Sequence, residues 1–109
     1  MESGEFALVL TTIPVDFDGE GFASTLVGER LAACVNLLPP MDSIYRWQGE
    51  VETAKERQLL IKTRVATLTT LQRRIRELHP YEVPEVLVLP VSGGSDAYLA
   101  WLRESASGS

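Results

Sequence analysis

The hydrophobic periodicity predicts an α+β sandwich with the element order β-α-β-β-α-β and a terminal helix. Three observations carry that expectation. Residues 6–12 (FALVLTT) and 83–91 (VPEVLVLPV) are short strand-like runs near the two ends of the chain. Leu68, Leu71, Ile75 and Leu78 recur at helical spacing, as do Phe22, Ala23, Leu26 and Val27. Between those helices, residues 32–62 read as two long extended runs joined at Gln48-Gly49, where glycine supplies the positive φ of a hairpin turn. Two right-handed βαβ crossovers with a hairpin between them make a ferredoxin-like fold, an antiparallel sheet with two helices on one face.

Each element has a local cause. Phe6 to Thr12 is apolar on both faces, as a central strand requires, and Pro14 ends it. Asp16 or Asp18 caps a first helix over about Phe17 to Arg30, weakened by Gly19 and Gly21. The next run, Cys34 to Trp47, would span on the order of 45 Å if extended. Pro39-Pro40 inside it cannot donate to a ladder, which predicts a bulge, bend or edge there. Its partner, Val51 to Arg64, is charged near the turn and apolar at Leu59, Leu60 and Ile61. A second helix runs from about Thr67 to Leu78 and ends at His79-Pro80. Val83 to Val91, with Pro84 and Pro90 at its ends, suits a sheet edge. Ser95 or Asp96 caps the last helix, and the tail after residue 104 reads as disordered, so one domain over residues 5–104 is expected.

Two features point to self-assembly. The hairpin is longer than a small domain can cover, and Ile44, Tyr45 and Trp47 lie near its tip. The sheet face away from the two helices would carry Leu8 or Val9 and Leu59 or Leu60 with no cover from the chain. Trimerisation, face toward face, would bury it.

The composition excludes several function classes. Formal net charge is -5, from fifteen acids against ten bases, which disfavours nucleic acid as a partner. Arg73, Arg74 and Arg76 cluster on one helix beside Glu77 and read as a solvated face. No run approaches the roughly 20 apolar residues of a membrane span, and the amino terminus lacks a signal-peptide pattern. One cysteine forms no internal disulfide. A soluble cytoplasmic protein is expected. The sequence carries no nucleophile elbow, P-loop, H-E-x-x-H or dinucleotide fingerprint, so an enzyme is not.

Five segments together carry a family resemblance. They are Glu29-Arg30-Leu31-Ala32-Ala33-Cys34-Val35-Asn36, Ser43-Ile44-Tyr45-Arg46-Trp47-Gln48-Gly49, Leu60-Ile61-Lys62-Thr63, His79-Pro80-Tyr81 with Pro84-Glu85, and Tyr98-Leu99-Ala100-Trp101-Leu102. In order and spacing they resemble the CutA divalent-cation-tolerance family, from about Phe6 to Leu102. The resemblance implies a ferredoxin-like homotrimer akin to the PII signalling proteins, with hairpins paired between subunits and no defining enzymatic activity. It also implies a role in tolerance of copper and other divalent cations.

The candidate metal ligands are Cys34, His79 and Glu85. A thiolate and an imidazole suit copper or zinc, although their spacing matches no preformed motif. Each has a plainer reading. Cys34 can be a small buried packing residue, His79 a helix C-terminal cap whose charged form the dipole favours, and Glu85 the partner of Lys62 or an arginine. Some relatives carry further cysteines implicated in copper binding, which this chain lacks. Tyr45, Trp47, Tyr81 and Trp101 are read first as subunit packing. The sharper reading makes them, with Lys62, His79 and Glu85, the walls of an inter-subunit cleft for a small ligand. The expected function is non-enzymatic metal-ion tolerance through copper or other divalent-cation binding. The alternatives are a PII-like small-molecule sensor or adaptor, and an assembly unit that positions a partner protein.

Overall fold

The fold is organised on one strand, Glu50–Arg64, which pairs with three others. The computed structural model describes residues 4–108. In chain order its elements are β1 (Phe6–Pro14), α1 (Gly19–Gly28), β2 (Cys34–Leu37), β3 (Met41–Trp47), β4 (Glu50–Arg64), α2 (Leu68–Leu78), β5 (Leu87–Val91) and α3 (Asp96–Ser105). Every strand pairing is antiparallel, and the order across the sheet is β2-β4-β1-β5. This is the ferredoxin-like order. β3 lies beyond β2 along the same side of β4, from Met41↔Glu56 to Trp47↔Glu50.

The proline pair explains that division. Leu37 ends β2 and Met41 begins β3, so the long run breaks across Leu38-Pro39-Pro40 while β4 continues unbroken opposite both pieces. Beyond Pro14↔Glu56, where β1 ends, β3 and the outer half of β4 form a two-stranded arm. Its turn holds both Gln48 (φ 50°) and Gly49 (φ 84°) in the left-handed region, the two-residue turn whose twist matches paired strands.

Strand alternation sorts the sheet into two faces. Val9, Ile13, Leu59 and Ile61 point to the helices and are fully buried with Leu26 of α1 and Leu71 and Ile75 of α2. Gly19 allows α1 this close approach, because a Cβ there would lie 2.5 Å from Ile13 Cδ1. On the other face, Leu8, Leu10 and Leu60 are only partly covered, and the edge residues Leu87 and Leu89 are 55% and 41% exposed. The expectation that Leu8 or Val9 and Leu59 or Leu60 face outward resolves to Leu8 and Leu60. α3 covers one end of this face, where Leu102 and Ala106 pack with Phe6 and Ala33.

Several boundaries differ from the sequence expectation. α1 is shorter at both ends, because Asp18 caps it by accepting from the Gly21 N–H and the chain turns at Glu29-Arg30. A one-turn 3-10 segment, Val65–Thr67, precedes α2. β5 starts at Leu87, four residues after Val83. Ser95 is the α3 cap, accepting from the Tyr98 N–H. The tail read as disordered is docked as far as it is described: Ala106 is fully buried, and Gly108 donates its N–H to the Arg30 carbonyl at 2.9 Å. Ser109 lies outside the described residues.

The end of α1 supports a first prediction. Leu31 N–H bonds Leu26 O and Arg30 N–H bonds Val27 O, the paired pattern in which a left-handed residue, normally glycine, follows the helix. Here that residue is Arg30, at φ 62°. Arg30→Gly is expected to raise unfolding stability by about 0.5–1 kcal/mol, read as a higher denaturant midpoint at unchanged slope. An unchanged or lower midpoint would show that Arg30 makes compensating contacts.

Candidate functional site

The open face of the sheet becomes a pocket at the base of the arm. Alternation along β4 puts Glu52, Glu56 and Gln58 on this face, and the β3 register adds Tyr45 opposite Glu52. Thr12 of β1 lies opposite Gln58. The segment after α2 closes one side with Tyr81, Glu82 and Glu85, and Trp47 stands on the arm. The pocket opens to solvent and has a volume of about 800 Å³.

His79 holds that closing segment in place from behind. α2 ends because His79 turns extended (ψ 141°) before Pro80, while its own N–H still reaches Ile75 O. The ring is 8% exposed and sits among aromatics, with centroids 4.9 Å from Tyr81, 6.0 Å from Phe22 and 6.4 Å from Phe17. Tyr81 N–H donates to Nδ1 at 3.0 Å, so that nitrogen is the acceptor. The proton therefore sits on Nε2, which donates to Thr12 O at 2.6 Å. The ring is thus turned away from the end of α2 and ties the closing segment to β1, which is not the helix-cap arrangement expected from the sequence. The same two bonds occupy both nitrogens that a metal would use.

Tyr81 and Gln58 fix the pocket wall. The Tyr81 hydroxyl donates to Glu56 Oε2 at 2.7 Å, and Glu56 is 7% exposed. Gln58 Nε2 bonds Thr11 O at 2.8 Å and Glu85 Oε2 at 3.2 Å, tying the closing segment to the sheet. Glu85 thus pairs with an amide; the alternative of a Lys62 or arginine partner is not what the chain forms. Burial, and then the neighbouring Glu56 carboxylate, push the Tyr81 phenol up to about 12.

That shift has a sign that can be measured. The folded phenol ionises above its ordinary value of 10.0, so its contribution to stability is complete below pH 10 and is lost as pH rises through about 12. Ultraviolet titration of phenolate absorbance should show one late-ionising tyrosine, absent in Tyr81→Phe. If the late component survives that substitution, the Tyr81–Glu56 contact is not formed in solution.

The sequence candidates divide. Tyr45, Trp47, Tyr81 and Glu85 share the pocket. Lys62 does not line it; it lies further along β4, between Leu8 and Cys34 in register. Cys34 is partly buried, its Sγ 3.9 Å from Asn36 Oδ1. Trp101 is on α3, packed on Tyr98 at 5.2 Å and bordering a separate depression with Val27 and Arg30. Cys34, His79 and Glu85 are not gathered, and among the described residues no three His, Cys, Asp or Glu side chains converge to hold a metal ion. Glu52, Glu56 and Gln58 were not singled out from the sequence. Their even spacing on a long strand is the signal that finds them.

The profile of "CutA1 divalent ion tolerance protein" matches residues 7–105. The chain belongs to the CutA1 family. It is 49% identical over 98 residues to "Divalent-cation tolerance protein CutA" of Thermus thermophilus, covering 90% of this chain and 95% of that protein. It is 45% identical over 98 residues to "Protein CutA, chloroplastic" of Arabidopsis thaliana, covering 90% of this chain but 54% of that longer CutA protein. Among solved CutA1 structures, that of Thermus thermophilus matches at a TM-score of 0.88 and 48% identity, over 92% of this chain and 97% of that one. The Oryza sativa CutA1 structure matches at 0.89 and 41% identity, over 94% of each chain. Compartment varies among CutA relatives: one name reads chloroplastic, and an Archaeoglobus fulgidus structure is described as periplasmic. No helix among the described residues of this chain is long and apolar enough to cross a membrane.

Proposed function

We propose that this chain serves divalent-cation tolerance as a cytoplasmic, non-catalytic homotrimer whose binding element is the pocket at the base of the arm. The observation that carries the reading is the open sheet face. Leu8, Leu10, Leu60, Leu87 and Leu89 form an apolar surface continuous with the pocket, and an apolar face of this kind is covered by another copy in a stable assembly. The shared name of the relatives supports the cation role. Among its described residues one chain gathers no three-ligand set, so a directly bound cation is completed by side chains of a neighbouring subunit. The pocket donors Glu52, Glu56 and Glu85 are oxygens, which suit hard divalent cations. Copper calls for a thiolate or an imidazole, and with both His79 nitrogens engaged, Cys34 is the group that assembly would have to bring to a shared site.

Calorimetric titration of the assembled protein with manganese, a hard cation, and with copper and zinc, beside Glu85→Gln and Cys34→Ser, tests this. Saturable binding at a fixed ratio per subunit, lost in Glu85→Gln, is the expected result. Loss in Cys34→Ser alone would move the site to the thiol, and absence of stoichiometric heat in every form would end the direct-binding reading. The aromatic walls favour a second reading, a sensor or adaptor of the PII type that takes a small ligand in the same pocket.

A further inference from the structure

We infer that the pocket takes an organic cation, an ammonium or guanidinium group carried on an apolar body. This rests on reading the pocket as a ligand site and names the class of ligand.

Charge comes first. Four glutamates, Glu52, Glu56, Glu82 and Glu85, line the space, and no lysine, arginine or histidine does. The ion pairs of the described residues lie elsewhere: Lys55 with Asp42, Arg74 with Glu29 and Glu77, and Arg103 with Glu5. Glu56 is the informative member. It is more than nine-tenths buried, the group that meets it is the Tyr81 phenol, and among the described residues it has no ion-pair partner. A buried carboxylate without an opposite charge costs several kcal/mol. A cationic ligand beside Glu56 removes that cost.

The walls set what carries the charge. Tyr45, Trp47 and Tyr81 present aromatic surface around the carboxylates, and aromatic faces attract ammonium and guanidinium groups. Met41 and Val83 supply apolar surface for an uncharged body. A space of about 800 Å³ is far larger than one metal ion needs, and among the described residues no three ligating side chains converge in it. Anionic ligands, phosphates and nucleotides among them, meet four carboxylates and no cationic side chain.

The test is calorimetric titration of the assembled, metal-free protein with phenethylammonium chloride, with 2-phenylethanol as its uncharged counterpart. Saturable heat is expected for the ammonium compound and none for the alcohol at the same concentrations. Glu56→Gln, which keeps the acceptor for Tyr81, should weaken binding about tenfold or more, the scale of a lost charge-assisted contact. Glu85→Gln should weaken it too, which guards against a folding defect in the first variant. Equal binding of the alcohol, or no binding of either compound, overturns the inference. Copper or zinc binding that persists in that second case leaves the metal reading standing. If Trp47 is already shielded from acrylamide quenching in the ligand-free assembly, a neighbouring subunit fills the space, and this inference falls along with the reading of the pocket as a ligand site.

Discussion

Leu10→Glu should convert the proposed homotrimer to a folded monomer of 12.0 kDa. Leu10 sits mid-sheet on the open face, between Leu60 of β4 and Leu87 of β5. In the free chain this face is partly open to water, so a carboxylate there is hydrated and the helix-side core is untouched. In a face-to-face assembly, each copy would bury a charge among leucines with no cation in register beside it. The desolvation cost is several kcal/mol per copy, enough to dissociate an assembly of small subunits. Light scattering at several dilutions reads the outcome, with circular dichroism to confirm that the monomer is folded. If the variant keeps the wild-type mass, the open face is not the interface.

His79→Ala should destabilise the fold by about 2–4 kcal/mol, whether or not metal is present. The substitution removes the bond to Thr12 O, the acceptor for Tyr81 N–H, and a ring packed among Phe17, Phe22 and Tyr81. Tyr81 then loses its anchor, and Glu56 its phenol. A metal-ligand role predicts the reverse pattern: little change in the chelated protein and a large change only in the metal-loaded one. Thermal unfolding with and without chelator separates the two. Equal losses in both conditions would place His79 in the framework.

Much of the fold was legible because its periods are clean. The i, i+3, i+4 spacing of Leu68, Leu71, Ile75 and Leu78 fixed α2, and the proline pair marked where β2 gives way to β3. What escaped were contacts made across the chain. The composition of residues 105–109 says disorder, but Ala106 is held by Phe6, Ala33 and Leu102, which no local pattern announces. The site shows the same division. Tyr45 and Trp47 share a face because they are two apart on a strand, and this could be read. Lys62 and Trp101 were grouped with them as walls of a cleft between subunits; within one chain the sheet register and α3 set both apart from Tyr45 and Trp47. His79 was a plausible ligand by type; its commitments to Thr12 and Tyr81 are geometric.

The continuity of β4 constrains how such a chain can change. The strand runs without a bulge from Glu50 at the turn to Arg64 beside Phe6, so the pocket and the buried core share a single register. One residue inserted between Glu52 and Gln58 has to be taken up as a β-bulge, which breaks the ladder and bends the strand beside the pocket. Without a bulge it would swap the faces of everything on one side, sending Glu56 toward the leucines of the core or Leu59 into the pocket. Length varies without such a defect only in matched pairs, one residue on each side of Gln48-Gly49, which carries the turn outward and leaves the rest untouched. Reach is therefore free to evolve in this arm, whereas parity is not.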